Sequence, residues 1–127
     1  KKQIGLNEIK LGVPVPYLAD LTLRQIVGDR AATNMIFRGE FMSFADAYQA
    51  GLIDDILPPE DVEEQSVSRA ALQAEFPRQA FSALKSHRVE DISLKYQEFG
   101  TSRNEAFLDC WFSEPAQKLL QEAAQKL

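Results

Sequence analysis

The spacing of hydrophobic residues changes along this chain, and the change predicts a short extended start followed by helices. Residues 4–11 carry apolar side chains at short, nearly alternating intervals, which predicts a short strand and a loop. The positions are Ile4, Leu6, Ile9 and Leu11, with Gly5 and Gly12 beside them. A second apolar run at residues 52–57 predicts another short strand.

Spacings of three and four residues dominate the rest of the chain and predict helices. Ser43 and Asp46 resemble a capping box, and Ser113-Glu114-Pro115 interrupts the pattern near the end. The predicted helices lie at residues 18–28 and 31–38, from residue 43 to residue 51, from residue 58 onwards, from residue 77 onwards, over residues 92–110, and over residues 116–127 with Leu127 facing inward.

Composition narrows the class of protein. The chain has 127 residues, a formal net charge of −5 and 45% hydrophobic residues, which is typical of one modest soluble domain. No apolar run approaches the roughly 20 residues that a membrane-spanning helix needs. The acidic balance argues against nucleic acid as the main partner, because no basic stripe is present to neutralise phosphates.

The chain has a single cysteine and a single histidine. Cys110 therefore cannot form an internal disulfide, and we expect it to be a buried apolar thiol. His87 alone cannot build a histidine-based metal site or a catalytic triad. The carboxylates of residues 60–64 lie at a helix start, so we interpret them as a solvated face and predict no metal site.

Glu8 is the candidate base. It stands where the first predicted strand should end, and a carboxylate beside apolar neighbours can be desolvated, which makes it a useful base near neutral pH. The local pattern alone favours a solvated surface residue. Residues 13–17, Val-Pro-Val-Pro-Tyr, can form neither regular helix nor central strand, because two prolines lack backbone donors. We expect an extended loop past the strand end, where α/β sheets place ligands.

A series of short motifs favours a catalytic role for Glu8. In chain order they are Gly5-Leu6-Asn7-Glu8, Leu11-Gly12-Val13-Pro14, Leu23-Arg24-Gln25-Ile26-Val27-Gly28, Arg30-Ala31-Ala32, Arg38-Gly39-Glu40, Ser43-Phe44-Ala45-Asp46-Ala47, Gly51-Leu52-Ile53-Asp54, and the spaced Pro77, Ala80 and Lys85. Their order and spacing resemble the C-terminal half of the enoyl-CoA hydratase/isomerase (crotonase) family. The resemblance covers essentially the whole chain but only about half of a family member.

The resemblance implies an α/β crotonase-type fold for the parent protein, of which this mostly α-helical chain supplies the last strand region and the helical C-terminal subdomain. Residues 1–57 would form the end of the spiral α/β core, with the catalytic strand and loop. Residues 58–127 would form a helical subdomain for oligomer contacts and CoA lining. A strand with no partner strand in its own sequence also predicts a portion of a larger fold.

The resemblance further implies an acyl-CoA substrate whose thioester carbonyl is polarised by two backbone N–H groups, which stabilise an enolate. Glu8 matches the glutamate that, in the Δ3,Δ2-enoyl-CoA isomerase branch, is the sole acid/base and moves a proton from C2 to C4. Hydratases use a second glutamate, which would lie outside this chain, as would the backbone donors. We favour isomerase, because Gly-Leu-Asn-Glu is followed by a proline-containing loop and not by a glycine-rich run; hydratase stays open.

The same resemblance assigns the ligand contacts. Pro14, Pro16 and Tyr17 would line the substrate, while Phe107 and Lys126 would meet the adenine and phosphate end of CoA, by stacking and by charge. Phe107 as a core residue and Lys126 as a solvated tail residue remain alternatives. No metal is implied, and no cofactor, since CoA is part of the substrate.

The last expectations concern how the protein assembles and in which compartment it acts. Apolar stripes that one chain of this size would expose predict a homo-oligomer, and the family contacts imply a trimer or a dimer of trimers. We expect the parent protein to be an enzyme, cytoplasmic in a bacterium or in the mitochondrial matrix or peroxisome of a eukaryote. The 127 residues alone we expect to be inactive. A non-catalytic assembly domain is the remaining alternative.

Overall fold

Helices account for nearly all regular structure in the computed structural model, which describes residues 3–126. The elements are a 3₁₀ helix Glu8–Leu11 and six α-helices: α1 Tyr17–Val27, α2 Asp29–Arg38, α3 Phe44–Gln49, α4 Val62–Ala74, α5 Arg78–Trp111 and α6 Glu114–Ala124. The expectation for Leu127 lies outside the described residues. None of the helices within 3–126 is both long and apolar enough to cross a bilayer.

Glycines and serines set the helix ends where the sequence predicts them. The N–H of Gly28 donates to the carbonyl of Arg24 and ends α1, and Gly39 ends α2 in the left-handed conformation. The Ser43 hydroxyl oxygen accepts from the N–H of Asp46, so the predicted cap of α3 is confirmed. Ser113 caps α6 in the same way, which confirms the break before the last helix.

Both predicted strands are wrong. Between residues 3 and 126 the one strand-like pairing is an isolated antiparallel bridge, in which Ile4 and Met42 exchange two backbone hydrogen bonds of 3.2 and 2.8 Å. Residues 8–11 turn into the 3₁₀ helix instead, and residues 52–57 form bends and irregular backbone. The reason is that apolar alternation produces a strand only when a neighbouring strand pairs with it, and no neighbouring strand lies within the described residues.

Two of the differences from the predicted helix boundaries exceed three residues. The helix expected from residue 58 begins only at Val62, because residues 58–61 form a turn in which the Asp61 N–H donates to the Pro58 carbonyl at 3.0 Å. The helix after Pro77 and the stripe at residues 92–110 belong to one continuous 34-residue helix, α5. It passes through Gly100, where a Cβ would lie 3.4 Å from the Tyr96 ring.

Burial divides the molecule into two regions. The packed region, residues 3–51 and 92–126, contains every buried residue that the structure describes. Its apolar core consists of Val13, Val15, Leu21, Leu23, Ala32, Ala47 and Ala116. Here α1 packs on α2 and α5, while the 3₁₀ helix packs on α2 and α6. The exposed arm, residues 52–91, comprises α4 and the start of α5 and contains no buried residue.

Candidate active site

Glu8 opens the 3₁₀ helix, and backbone contacts fix its position. Its carbonyl oxygen accepts from the N–H of Val13 at 3.1 Å. Gly12, with a φ of 78°, adopts the left-handed conformation that closes the turn. A Cβ at Gly12 would come within 3.1 Å of the Cα of Ala116, so the turn lies directly against α6. Glu8 is therefore held by its own loop and by a helix more than a hundred residues further along the chain.

The Glu8 carboxylate has an unusual environment. Its Oε2 atom is buried and accepts no hydrogen bond from residues 3–126. Among the partly and fully buried residues that the structure describes, no other side-chain oxygen or nitrogen has this property. Leaving a buried polar atom without a partner costs about 1–3 kcal/mol, so such atoms are rare in native structures. An unpartnered carboxylate oxygen is a candidate functional group, because a ligand or a proton can supply the missing interaction.

A small apolar groove of about 220 Å³ lies beside this turn. Ile9, which follows Glu8, lines it together with Pro14 of the loop and with Ile36 and Phe37 of α2. Glu8 is not among its lining residues, so the groove lies beside the turn and does not enclose the carboxylate. An apolar part of a ligand placed in this groove would have the Glu8 turn at its side.

The loop between Glu8 and α1 has the extended form that its prolines predict. Val13 and Val15 are buried, whereas Pro14 and Pro16 are exposed, which is the alternation of an extended segment. Pro14 borders both the small groove and a wider one, while Pro16 lines neither. A ligand in either groove would therefore touch Pro14, whereas the assignment of Pro16 stays a prediction.

The wider groove, of about 900 Å³, runs between α1 and α5. Tyr17 lines it and stacks on Tyr96 of α5, with ring centroids 6.2 Å apart and planes inclined by 19°. The Arg103 guanidinium lies 5.9 Å from the centre of the Tyr17 ring, and Asn104 donates to the Tyr96 hydroxyl at 3.3 Å. These contacts join the loop after Glu8 to α5, because the stacked ring stands at the first position of α1.

Arg24 separates the two grooves and lines both of them. Its guanidinium donates to both carboxylate oxygens of Asp20, at 2.9 and 2.8 Å, and lies 3.6 Å from Asp29. The hydrogen bond that Arg24 donates to Asp20 is the largest of the effects that raise the pKa of Arg24 above its usual value. The bidentate pair fixes the side chain on α1 and so fixes the wall between the grooves.

The two residues expected at the CoA end lie away from these grooves. Phe107 is half-buried in α5 and stacks on Trp111, with centroids 5.9 Å apart. Lys126 is exposed, two residues beyond the end of α6. Neither lines the small or the wider groove. Their assignment stays a prediction.

Sequence reasoning named Glu8, Pro14 and Tyr17 as candidates but missed the side chains that contact the Tyr17 ring. Tyr96 and Arg103 lie far along the chain from Tyr17, and only the fold brings them together. Their separation of seven residues, which places both on one side of a helix, was the available signal. That signal could not say which ring the side chains would meet.

Comparisons with known proteins agree with one another. The family model described as enoyl-CoA hydratase/isomerase matches residues 1–124. The chain is 34% identical over 83 residues to human mitochondrial enoyl-CoA delta isomerase 1, covering 65% of this chain and 28% of the human protein. It is 35% identical over 92 residues to the peroxisomal fatty acid beta-oxidation multifunctional protein AIM1 of Arabidopsis thaliana, covering 72% of this chain and 12% of that protein.

The crystal structure of human mitochondrial delta3-delta2-enoyl-CoA isomerase is similar over 98% of this chain and 48% of its own, with a TM-score of 0.89 and 27% identity. The chain thus spans about half the length of that structure. These findings confirm the resemblance drawn from the motifs. They also confirm the prediction of a mostly helical portion of a crotonase-type α/β fold.

Proposed function

Because the chain belongs to the enoyl-CoA hydratase/isomerase family, we propose that it supplies the acid/base, Glu8, for a double-bond shift in an enoyl-CoA. The observation that carries the proposal is the buried Glu8 Oε2, which no described residue satisfies, on a turn whose next residue, Ile9, lines an apolar groove. A base of this kind needs a free carboxylate oxygen that can approach a carbon-bound proton.

The reaction needs only one carboxylate. Glu8 takes a proton from C2 of a 3-enoyl-CoA, and the electron pair spreads over the thioester carbonyl and the adjacent double bond. The carboxylic acid so formed returns the proton to C4, which leaves the double bond between C2 and C3. The enolate needs hydrogen-bond donors at the thioester oxygen, and we assign these to the part of the family fold that residues 1–127 do not span.

Isomerisation is favoured over hydration by the names of the relatives and by the loop. A human mitochondrial enoyl-CoA isomerase is similar in sequence, at 34% identity, and in structure, at a TM-score of 0.89. A probable mycobacterial enoyl-CoA hydratase is 30% identical, and a carnitinyl-CoA hydratase structure has a TM-score of 0.81. The loop after Glu8 is held by the buried Val13 and Val15, between exposed prolines, and is not a glycine-rich run. Hydration of an enoyl-CoA is the second candidate, since a second glutamate from outside this chain would suffice for it.

Replacement of the base tests the proposal. In a protein that combines this chain with the rest of the family fold, Glu8→Gln should retain acyl-CoA binding and lower kcat about a thousandfold or more, because the amide keeps the shape but cannot accept the proton. Glu122→Gln, at an exposed position of α6, is the matched control and should keep the wild-type rate. If the isomerase and hydratase rates of Glu8→Gln stayed within a few-fold of wild type, Glu8 would not be the base. The chain would then be a non-catalytic assembly domain.

The far end of the substrate is assigned to Phe107 and Lys126, with Pro14, Pro16 and Tyr17 along the acyl portion. Phe107 offers an aromatic ring for the adenine, and the exposed Lys126 can pair with phosphate. Lys126→Ala should raise KM for CoA esters without a matching change in kcat, and the effect should shrink at high salt because an exposed pair is screened. An unchanged KM at low salt would mean that Lys126 is a solvated residue that does not contact CoA.

Self-association is part of the same proposal. Leu108, Trp111 and Phe112 are exposed at the end of α5, within the region that carries oligomer contacts in the family resemblance. Adjacent exposed side chains of this size are typical of protein–protein contacts. We assign them to a homo-oligomer, a trimer or a dimer of trimers.

A further inference from the structure

The turn that carries Glu8 lies between two parts of the chain. On one side Gly12 meets α6, and on the other side the turn packs on α2 and on the segment that follows it. Ile4 and Met42 exchange backbone hydrogen bonds across this second contact. Because the Glu8 Oε2 atom has no hydrogen-bond partner among residues 3–126, the packing of the backbone around the turn determines where this oxygen lies.

Gly39, at the end of α2, makes the tightest of these approaches. It is buried and has a φ of 56°, in the left-handed region that favours glycine. A Cβ at this position would lie 2.6 Å from the Cγ2 of Ile9 and 3.5 Å from the Cα of Asn7. Asn7 and Ile9 are the two sequence neighbours of Glu8. The backbone of Gly39 therefore packs against the turn on both sides of Glu8.

Gly5 makes a second close approach to the same segment. A Cβ at Gly5 would lie 2.8 Å from the carbonyl oxygen of Glu40 and 2.9 Å from the Cδ1 of Phe41. The φ of Gly5 is not positive, so the need for glycine here comes from space and not from backbone conformation. Residues 39–41 thus meet the segment around Glu8 at two places where a side chain would not fit.

We propose that Gly39, together with Gly5, positions the Glu8 carboxylate for proton transfer, which rests on the proposed role of Glu8 as the base. An ordinary contact between carbon atoms is about 3.5–4.0 Å, so a methyl group at residue 39 would displace Ile9 by about 1 Å. Ile9 is β-branched and its Cγ2 is bonded directly to Cβ, so few alternative positions are open to it. Movement of Ile9 moves the adjoining Glu8. A misplacement of about 1 Å at a reacting group costs about a hundredfold in rate.

A matched pair of glycine variants tests the inference in a protein that combines this chain with the rest of the family fold. Gly39→Ala should lower kcat about a hundredfold and change KM for a 3-enoyl-CoA by less than about twofold. Gly51→Ala is the control, because Gly51 also has a positive φ, 72°, while its Cβ would meet nothing within 4 Å. It has the same kind of backbone cost and should keep kcat within about threefold of wild type. All rates are measured below the unfolding temperature of each variant.

A second substitution separates displacement of Glu8 from general damage. Leucine has one carbon on its Cβ, so Ile9→Leu removes the Cγ2 that the new methyl group would meet. In the Ile9→Leu background, Gly39→Ala should lower kcat by less than about tenfold, because the two side chains no longer collide. An equal loss in both backgrounds would overturn the inference, since Gly39 would then not act through Ile9.

Gly5→Ala provides a test that adds no strain from a positive φ, and it serves if Gly39→Ala does not fold. It should lower kcat at least about tenfold, because the new Cβ pushes residues 5–8 away from Glu40 and Phe41. If Gly5→Ala and Gly39→Ala both keep kcat within about threefold of Gly51→Ala, while Glu8→Gln loses turnover, Glu8 is the base and these glycines do not position it. Full turnover of Glu8→Gln would refute the base itself, and the positioning role with it.

A crystal structure of the Gly39→Ala protein gives a readout that does not depend on turnover. The Cα of Glu8 should be displaced by about 1 Å relative to α6, in the direction away from residue 39. A Glu8 that keeps its wild-type position in this variant would overturn the inference, even if kcat had fallen.

Discussion

The packed region and the exposed arm are built from the same kinds of residue, yet only the packed region has a core. Leucines and alanines fill that core at Leu21, Leu23 and Ala116, whereas those of α4 and the start of α5 are exposed. A single helix, α5, runs through both regions. Helix formation and burial are thus separate properties here, since the same helix is partly covered where α1 lies and bare where it does not.

The difference decides which part of the proposed chemistry the chain can position by itself. Glu8, its loop and both apolar walls of the small groove lie in the packed region. The 3₁₀ turn that carries Glu8 is supported by α2 and α6, so its geometry does not depend on the arm. The arm instead contributes exposed surface and no buried residue. Changes to the two regions should therefore have effects of very different size.

The largest contrast is expected between two leucines. Leu23→Ala should lower the free energy of unfolding by about 2–5 kcal/mol, because it leaves a cavity in the core. Leu72→Ala on α4 should change it by less than about 0.5 kcal/mol. Leu23 is 6% exposed and Leu72 is 62% exposed. Urea denaturation of both variants measures the contrast, and equal losses would show that the arm is packed in solution.

Two glycines give a smaller contrast, between the interior of the packed region and its border with the arm. Gly12 and Gly51 both have positive φ values, 78° and 72°, so an alanine at either position costs about 1–2 kcal/mol in backbone strain. At Gly12 the new Cβ would also lie 3.1 Å from the Ala116 Cα, whereas at Gly51 it meets nothing within 4 Å.

The expected result is that Gly12→Ala loses more stability than Gly51→Ala by about 1 kcal/mol, which is the cost of added volume in a packed site. Denaturation curves of the two variants give the comparison directly. If Gly51→Ala were the more damaging, the contact between the Glu8 turn and α6 would have to be weaker than the structure indicates.

The sequence predicted what local chemistry determines. Helix ends at Gly28 and Ser113 depend on residues within a turn of each other, and these predictions are confirmed. The strand at residues 4–11 depends on a distant partner, and that prediction is wrong beyond the bridge at Ile4. The single helix α5 was divided in the prediction, although it runs without a break from Arg78 to Trp111.

The candidate site likewise has features that short motifs predict and features that depend on the fold. Glu8 was found through short motifs in which every residue is close in sequence. Its unpartnered Oε2 and the support from Ala116 could not be predicted, because they depend on how the 3₁₀ turn sits against α6. Likewise, the ring that stacks on Tyr17 comes from α5, and no pattern in the sequence specifies that pair.

The smallest expected effect concerns the ion pair between Asp55 and Arg69, which ties α4 to the segment before it within the arm. The Asp55 carboxylate accepts a hydrogen bond from the Ile56 N–H and pairs with Arg69. These interactions, the first of them the larger, hold the pKa of Asp55 below its ordinary value of 3.8. A carboxyl whose pKa is lowered on folding stabilises the folded form above its unfolded pKa, and this contribution is lost as pH falls through the folded pKa. Both side chains are substantially exposed, so water screens the pair and the contribution is small.

Hydrogen exchange of α4 between pH 5 and pH 2 measures this contribution, after correction for the intrinsic pH dependence of exchange. Exchange of residues 62–74 should accelerate by less than about fivefold as Asp55 becomes protonated, and Asp55→Asn should remove that acceleration. Asp20→Asn, on α1, should leave the pH response of α4 unchanged, because its partner Arg24 lies in the packed region. A large acceleration that persists in Asp55→Asn would mean that α4 is held by something other than this pair. The arm would then be more than a helix tied to residues 52–57 by one exposed charge pair.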